Sequence, residues 1–143
     1  MVPLLVLSLS TIAYAALGSD ENSIQADQAH LRASARVTRT AMYAVHELQA
    51  PSGHVIREYV SPAGKVFGVA WQGPSKPDMR QLLGAYFDQF VQAADSLERH
   101  GHGPLLIRLP NLVVVSAGHM GAFSGKAYLP QLVPAGLTAE AIQ

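Results

Sequence analysis

Apolar residues along this chain fall into three patterns. From Val2 to Ile12 they run nearly unbroken. From Tyr43 to Trp71 they alternate with polar residues and glycines. From Met79 to Leu97 they return every three or four positions. An alternating run predicts half-buried strands, and a three-to-four spacing predicts an amphipathic helix.

Two turns of one design divide the alternating segment, Ala50-Pro51-Ser52-Gly53 and Ser61-Pro62-Ala63-Gly64. Proline presets the second turn position and glycine accepts the left-handed one. Each is a three-residue hairpin loop with a glycine bulge. Closing Ala50 on His54 and Ser61 on Lys65 sets the register of a three-stranded meander. One face carries the rows Gln49–Val55–Trp71, Glu47–Arg57–Val69 and Val45–Tyr59–Phe67. The other carries Leu48–Ile56–Ala70, His46–Glu58–Gly68 and Ala44–Val60–Val66. This register sets Glu47 opposite Arg57 and His46 opposite Glu58, and such cross-strand pairs contribute about 0.2–1 kcal/mol each. A slip by one residue would break both pairs and invert both faces.

Pro77 suits a first helical turn and Asp78 its positive end. Met79, Leu82, Leu83, Tyr86, Phe87, Phe90, Val91, Ala94 and Leu97 then share one face of a long helix that Gly101 ends. Its expected seat is the bulkier row, Val45, Tyr59 and Phe67. A shorter helix is predicted within Ser19–Ala35, with Ile24, Leu31 and Ala35 on one side and Ser23 as a cap. Leu105–Leu109 and Leu112–Ser116 read as a second hairpin around Pro110-Asn111, and Phe123–Leu129 as a further strand. The expected fold class is α+β, in the order short N-terminal helix, three-stranded antiparallel meander, long amphipathic helix, second hairpin. Residues 16–130 form the single domain and 131–143 a loose tail.

Composition adds location. The first apolar run closes on Ala13-Tyr14-Ala15, which reads as a secretory signal peptide over residues 1–15, cut after Ala15. No Lys or Arg precedes the run, so the true start is expected upstream. An uncleaved anchor and a buried N-terminal helix are the competing readings; a spanning helix needs about 20 residues. The expected compartment is the periplasm. The chain has 143 residues, no cysteine and a formal net charge of zero. Disulfides, a lipid anchor on cysteine, thiol catalysis and thiolate metal sites are excluded. With scattered lysines and no net charge, nothing points to nucleic acid. No stable membrane span is expected after cleavage, and no cofactor.

Two groups could carry chemistry. His46 and Glu58 over Gly68 could form an acid–base pair, since a carboxylate beside an imidazole tunes its proton affinity; the plainer reading is a structural cross-strand pair. His100 and His102, with His119 as a third ligand, could hold a metal; the plainer reading is a helix end decorated with histidine. Gly121–Lys126 superficially suggests a phosphate loop, but Met120 stands where glycine is needed and Ala127 where Ser or Thr is needed. No small-x-Ser-x-small elbow of a hydrolase is present.

The segment Tyr43-Ala-Val-His-Glu-Leu…Gly53…Arg57-Glu-Tyr-Val-Ser-Pro-Ala-Gly64…Val66-Phe-Gly-Val-Ala-Trp71…Gly73-Pro74, followed by Pro77-Asp78…Leu82-Leu83-Gly84…Phe87, carries a resemblance. From Ala16 to Tyr128 the chain resembles the bacterial family called domain of unknown function 2844. The resemblance implies an exported proteobacterial protein. It brings no activity, cofactor or catalytic residue.

Two functions are expected from these readings. The first is a non-catalytic envelope module that binds another exported protein or a small ligand, using Leu48, Ile56, Val60 and Val66 if the helices leave that row open. The second is a small periplasmic hydrolase using His46 with Glu58, or a metal on His100 and His102. The sequence fixes no oligomeric state.

Overall fold

A computed structural model describes residues 17–97 and 103–143. The proposed leader, its cleavage site, and His100, Gly101 and His102 lie outside the described residues. The strands are β1 (Ser34–Arg39), β2 (Ala44–Gln49), β3 (Val55–Val60), β4 (Val66–Gly73), β5 (Leu105–Leu109), β6 (Leu112–His119) and β7 (Ala122–Tyr128). They form one antiparallel sheet in the order β1-β2-β3-β4-β7-β6-β5. The helices are α1 (Ile24–Leu31), α2 (Met79–Leu83) and α3 (Phe87–Asp95), with a 3-10 turn at Gly84–Tyr86.

This corrects the expected architecture of a three-stranded meander, one long helix and a separate hairpin. The meander and hairpin are parts of one seven-stranded sheet, joined where β7 pairs with β4. The expected long helix is two short ones. Gly84 adopts φ +51°, ψ −120° between them, outside helical geometry. Glycine reaches that conformation without the steric cost a Cβ would impose, so the chain turns there. Asp78 caps α2, its carboxylate accepting from the Gln81 amide at 3.2 Å. β1 extends the sheet beyond β2 and is exposed along its length. Only Val37 gives it an apolar signal above alanine, and its three other large or polar neighbours, Arg36, Thr38 and Arg39, dress a sheet edge.

Both proline-glycine turns form as read. Gly53 and Gly64 have φ of +91° and +79°. Ala50 and Ser61 donate to the carbonyls of His54 and Lys65 at 2.9 and 2.8 Å. The β2–β3 register is the expected one throughout, from Ala44 opposite Val60 to Gln49 opposite Val55. The β3–β4 register departs from expectation by one residue. Val60 faces Val66, but Tyr59 faces Gly68, because a bulge at Phe67 inserts an extra residue. Trp71 therefore lies opposite Ile56 and Val69 opposite Glu58.

The helices cover the face bearing Leu48, Ile56, Val60, Val66 and Trp71, which pack with Leu82, Leu83 and Ile24. The row that would have served as a contact surface had the helices left it open is thus sealed, each of its members at most 1 % exposed. The helices also took the opposite face from the one expected. Val45, Tyr59 and Phe67 are instead covered by residues 130–143, with Leu132, Val133, Leu137 and Ile142 against them. That segment, expected to be loose, is seated. Ile142 is buried over Gly68, where an added Cβ would lie 2.7 Å from its Cδ1. The choice of face has a polar cause as well. The Tyr59 hydroxyl donates to the Gln143 carbonyl at 2.9 Å and accepts from the Gln143 amide at 3.0 Å. A helix flank has no free backbone groups to offer a buried hydroxyl in this way.

Candidate functional site

His46 and Glu58 stand directly opposite each other in the β2–β3 ladder. Their side chains nevertheless engage different partners. His46 Nε2 lies 2.8 Å from Glu21 Oε1, and the same oxygen accepts from Arg39 Nη2 at 2.7 Å. These contacts, the imidazole's foremost, hold the Glu21 carboxyl below its usual range. The group sits beside a small recess of about 150 Å³ that Glu21, Arg39 and Tyr43 help to line.

Glu58 points beneath α1 and α2. It is buried, as are Asp27 and Gln81. Asp27 lies three residues after Ile24 on the inward side of α1, and Gln81 follows the cap of α2. The Gln81 side-chain amide donates to Asp27 Oδ1, and the Glu58 carboxyl lies against that of Asp27. Burial first, and the Asp27 charge second, push the Glu58 carboxyl well above the ordinary carboxylate range. The arrangement can store a proton but offers a substrate no open access, because all three side chains are sealed.

Sequence reasoning missed Asp27 and Gln81 as partners. A signal existed in α1, where an aspartate shares the stripe of Ile24 and Leu31. A second missed cluster lies at the end of the β2–β3 hairpin. Ser52 Oγ is 2.8 Å from His54 Nδ1, and His54 Nε2 is 3.0 Å from the Ser75 carbonyl oxygen. A carbonyl accepts only, so Nε2 donates to it. The ring packs over Gly73, where a Cβ would come within 2.5 Å of it. The cluster ties the hairpin to the loop leading into α2.

The metal candidates are not brought together by anything described. His119 is exposed at the end of β6, and His100 and His102 lie outside the described residues. Among the described residues no group of three or more His, Cys, Asp or Glu could hold a metal. None of their helices is long and apolar enough to cross a membrane.

Further concavity lies on the face that residues 130–143 only partly cover. One depression of about 260 Å³ is bounded by Arg57, Gln72, Val115, Ala117, Ser124 and Lys126. A second, of about 580 Å³, adjoins it through the shared residues Gln72 and Ser124 and runs toward Pro74 and Gly121. Leu106, paired with Val115 on the same side of the sheet, is 49 % exposed.

The model of the family DUF2844, described as a protein of unknown function, matches residues 13–142. The chain belongs to the DUF2844 family. No curated protein matches it, and no solved structure does. Membership spans the whole of the described sheet and the segment 130–142, so the covering of both faces falls inside the family's boundaries.

Proposed function

We propose that this DUF2844 protein is an exported, periplasmic, non-catalytic module that binds another envelope component or a small ligand. The apolar leader supports the location. The binding surface is the uncovered part of the sheet around Gln72 and Ser124. The observation that carries this is the continuity of the two depressions across those residues, on rigid strands, beside exposed Leu106. Concave, mixed apolar and polar surface on a fixed scaffold is what a binding site requires. A hydrolytic role for His46 with Glu58 gains no support, since each side chain is committed to a different carboxylate.

The test has two parts. Fractionation of cells producing the full chain is expected to recover a shortened product in the periplasm. Cross-linking in the envelope is then expected to capture a component with the natural protein and with Lys76→Glu, but not with Ser124→Trp, which fills the depression from an exposed position. Full-length cytoplasmic protein would overturn the location. Equal capture by Ser124→Trp and the natural protein would overturn the surface.

A further inference from the structure

The Asp27–Glu58–Gln81 cluster is the one group of polar side chains sealed in the described core, and each member comes from a different element. Its chemistry sets a constraint that the packing alone does not show. An ionised carboxylate accepts hydrogen bonds and donates none. A hydrogen bond between two carboxyl groups therefore exists only while one of them keeps a proton. We propose that Asp27 and Glu58 share one proton at neutral pH, and that this bond, braced by Gln81, is a latch holding α1 and α2 on the sheet and tightening in acid.

The groups facing Glu58 fit this role. α1 presents Asp27 itself. α2 presents Gln81, while its Arg80 is turned away, 4.4 Å over the Phe87 ring. β2 presents His46, whose Nε2 is engaged by Glu21, and Glu21 is held in turn by Arg39 of β1. β4 presents Val69, which is apolar. Two like charges in so dry a place cannot both persist, so a proton is retained on the pair. Glu58 is the natural holder, because desolvation and the Asp27 charge both favour its neutral form.

The direction of the pH effect follows. Folded, Glu58 keeps its proton above the ordinary carboxyl value of 4.5. Released into water when α1 lifts, it loses the proton at that value. The latch therefore contributes fully below that value, and its contribution is lost as pH rises toward the folded value. Lifting α1 would uncover Leu48, Ile56 and Val60, which the helices now seal. Acid thus keeps this apolar row closed, and rising pH makes its exposure progressively less costly.

Hydrogen exchange of the full chain, read residue by residue as protection factors, tests this. Protection in α1 and α2 is expected to fall, by up to about tenfold per pH unit, as pH rises above the ordinary carboxyl value toward the folded one, the slope of a one-proton linkage. In Glu58→Gln, a neutral near-isostere that still donates to Asp27, the slope is expected to vanish in both helices. Any contribution from His46 would remain in that variant and be read separately. Isotope-edited infrared spectra of the natural protein at pH 7 are expected to show one buried protonated carboxyl, lost in Glu58→Gln. A natural protein without that band, or a Glu58→Gln variant with the natural slope, overturns the latch. Should Glu58→Gln not fold, the band in the natural protein and the slope in Asp27→Asn decide the question.

Discussion

The two faces of this sheet are closed by different means. On one, helices lay aliphatic stripes onto Leu48, Ile56, Val60 and Val66, and the polar groups caught beneath them are dry. On the other, an irregular segment crosses a cluster of aromatic rings. Tyr43, Tyr59 and Phe67 stand 5.9–6.5 Å apart, centroid to centroid. Polar side chains there reach backbone groups of that segment. Lys126 Nζ donates to the carbonyls of Ala139 and Ile142 at 2.9 and 3.2 Å, and Arg57 Nη1 donates to that of Gln143 at 3.3 Å. A helix spends its own backbone groups internally, so it closes a face by side-chain packing alone. A segment without regular structure must have its backbone satisfied by the sheet it covers, and that demands long cationic and hydroxyl side chains on the covered face.

The charged groups show the same contrast. Glu47 accepts from Arg57 at 3.0 Å, Arg36 at 3.3 Å and Gln49 at 2.9 Å, near the solvent. These bonds, Gln49's foremost, hold its carboxyl low. Glu58 lies one residue beyond Glu47's partner Arg57, on the dry side, and its carboxyl is held high. Neighbouring strand positions thus respond to acid in opposite senses, because alternate residues of a strand enter different media.

If both faces are true cores, truncation should be costly on each. Phe67→Ala is expected to cost about 3–5 kcal/mol and Leu48→Ala about 2–5 kcal/mol in chemical denaturation. A Phe67→Ala cost under about 1 kcal/mol would mean that the segment 130–143 only rests on the sheet, and the comparison would fail.

A finer probe is the notch at Gly68. Gly68→Ala is expected to cost about 1–3 kcal/mol through overpacking against Ile142. Ile142→Val removes the Cδ1 atom that an added Cβ would meet. The double variant should therefore be more stable than the sum of the two single costs predicts. Additive costs would show that the two residues do not touch in solution.

The smallest expected effect concerns the wet charges. Glu47→Gln should cost about 0.2–1 kcal/mol near neutral pH, and molar salt should shrink that cost. Glu21 and Glu47 are held below the ordinary value of 4.5, so their contribution is present above it and is lost as pH falls through their folded values. Denaturation of Glu47→Gln across acid pH should accordingly show a shallower acid loss than the natural protein. An unchanged acid limb would remove Glu47 from the account.

How much of this could be read beforehand differs by element. The first Pro-x-Gly turn, Ala50–Gly53, set the β2–β3 register to the residue, because turn geometry and the Glu47–Arg57 pair are both local. The β3–β4 register was displaced by the bulge at Phe67, where Gly68 lets Ile142 approach from far along the chain. The helical stripe after Asp78 was visible, but not its interruption at Gly84, since a glycine within a periodic run marks a break only when packing draws the next turn elsewhere. At the candidate site the row His46–Glu58 was legible and its partners were not. Glu21, Asp27 and Gln81 reach it from outside the meander.

By itself, then, the sequence determined the two Pro-x-Gly turns, the strands of the meander and second hairpin, and the β2–β3 register, together with the family. These rest on interactions within a few residues or across one turn. Only the tertiary structure decided which face took the helices, that residues 130–143 closed the other, and that Glu58 became dry. Those outcomes turn on where distant segments lie, and on how a buried hydroxyl or carboxyl finds a partner. No local pattern encodes either.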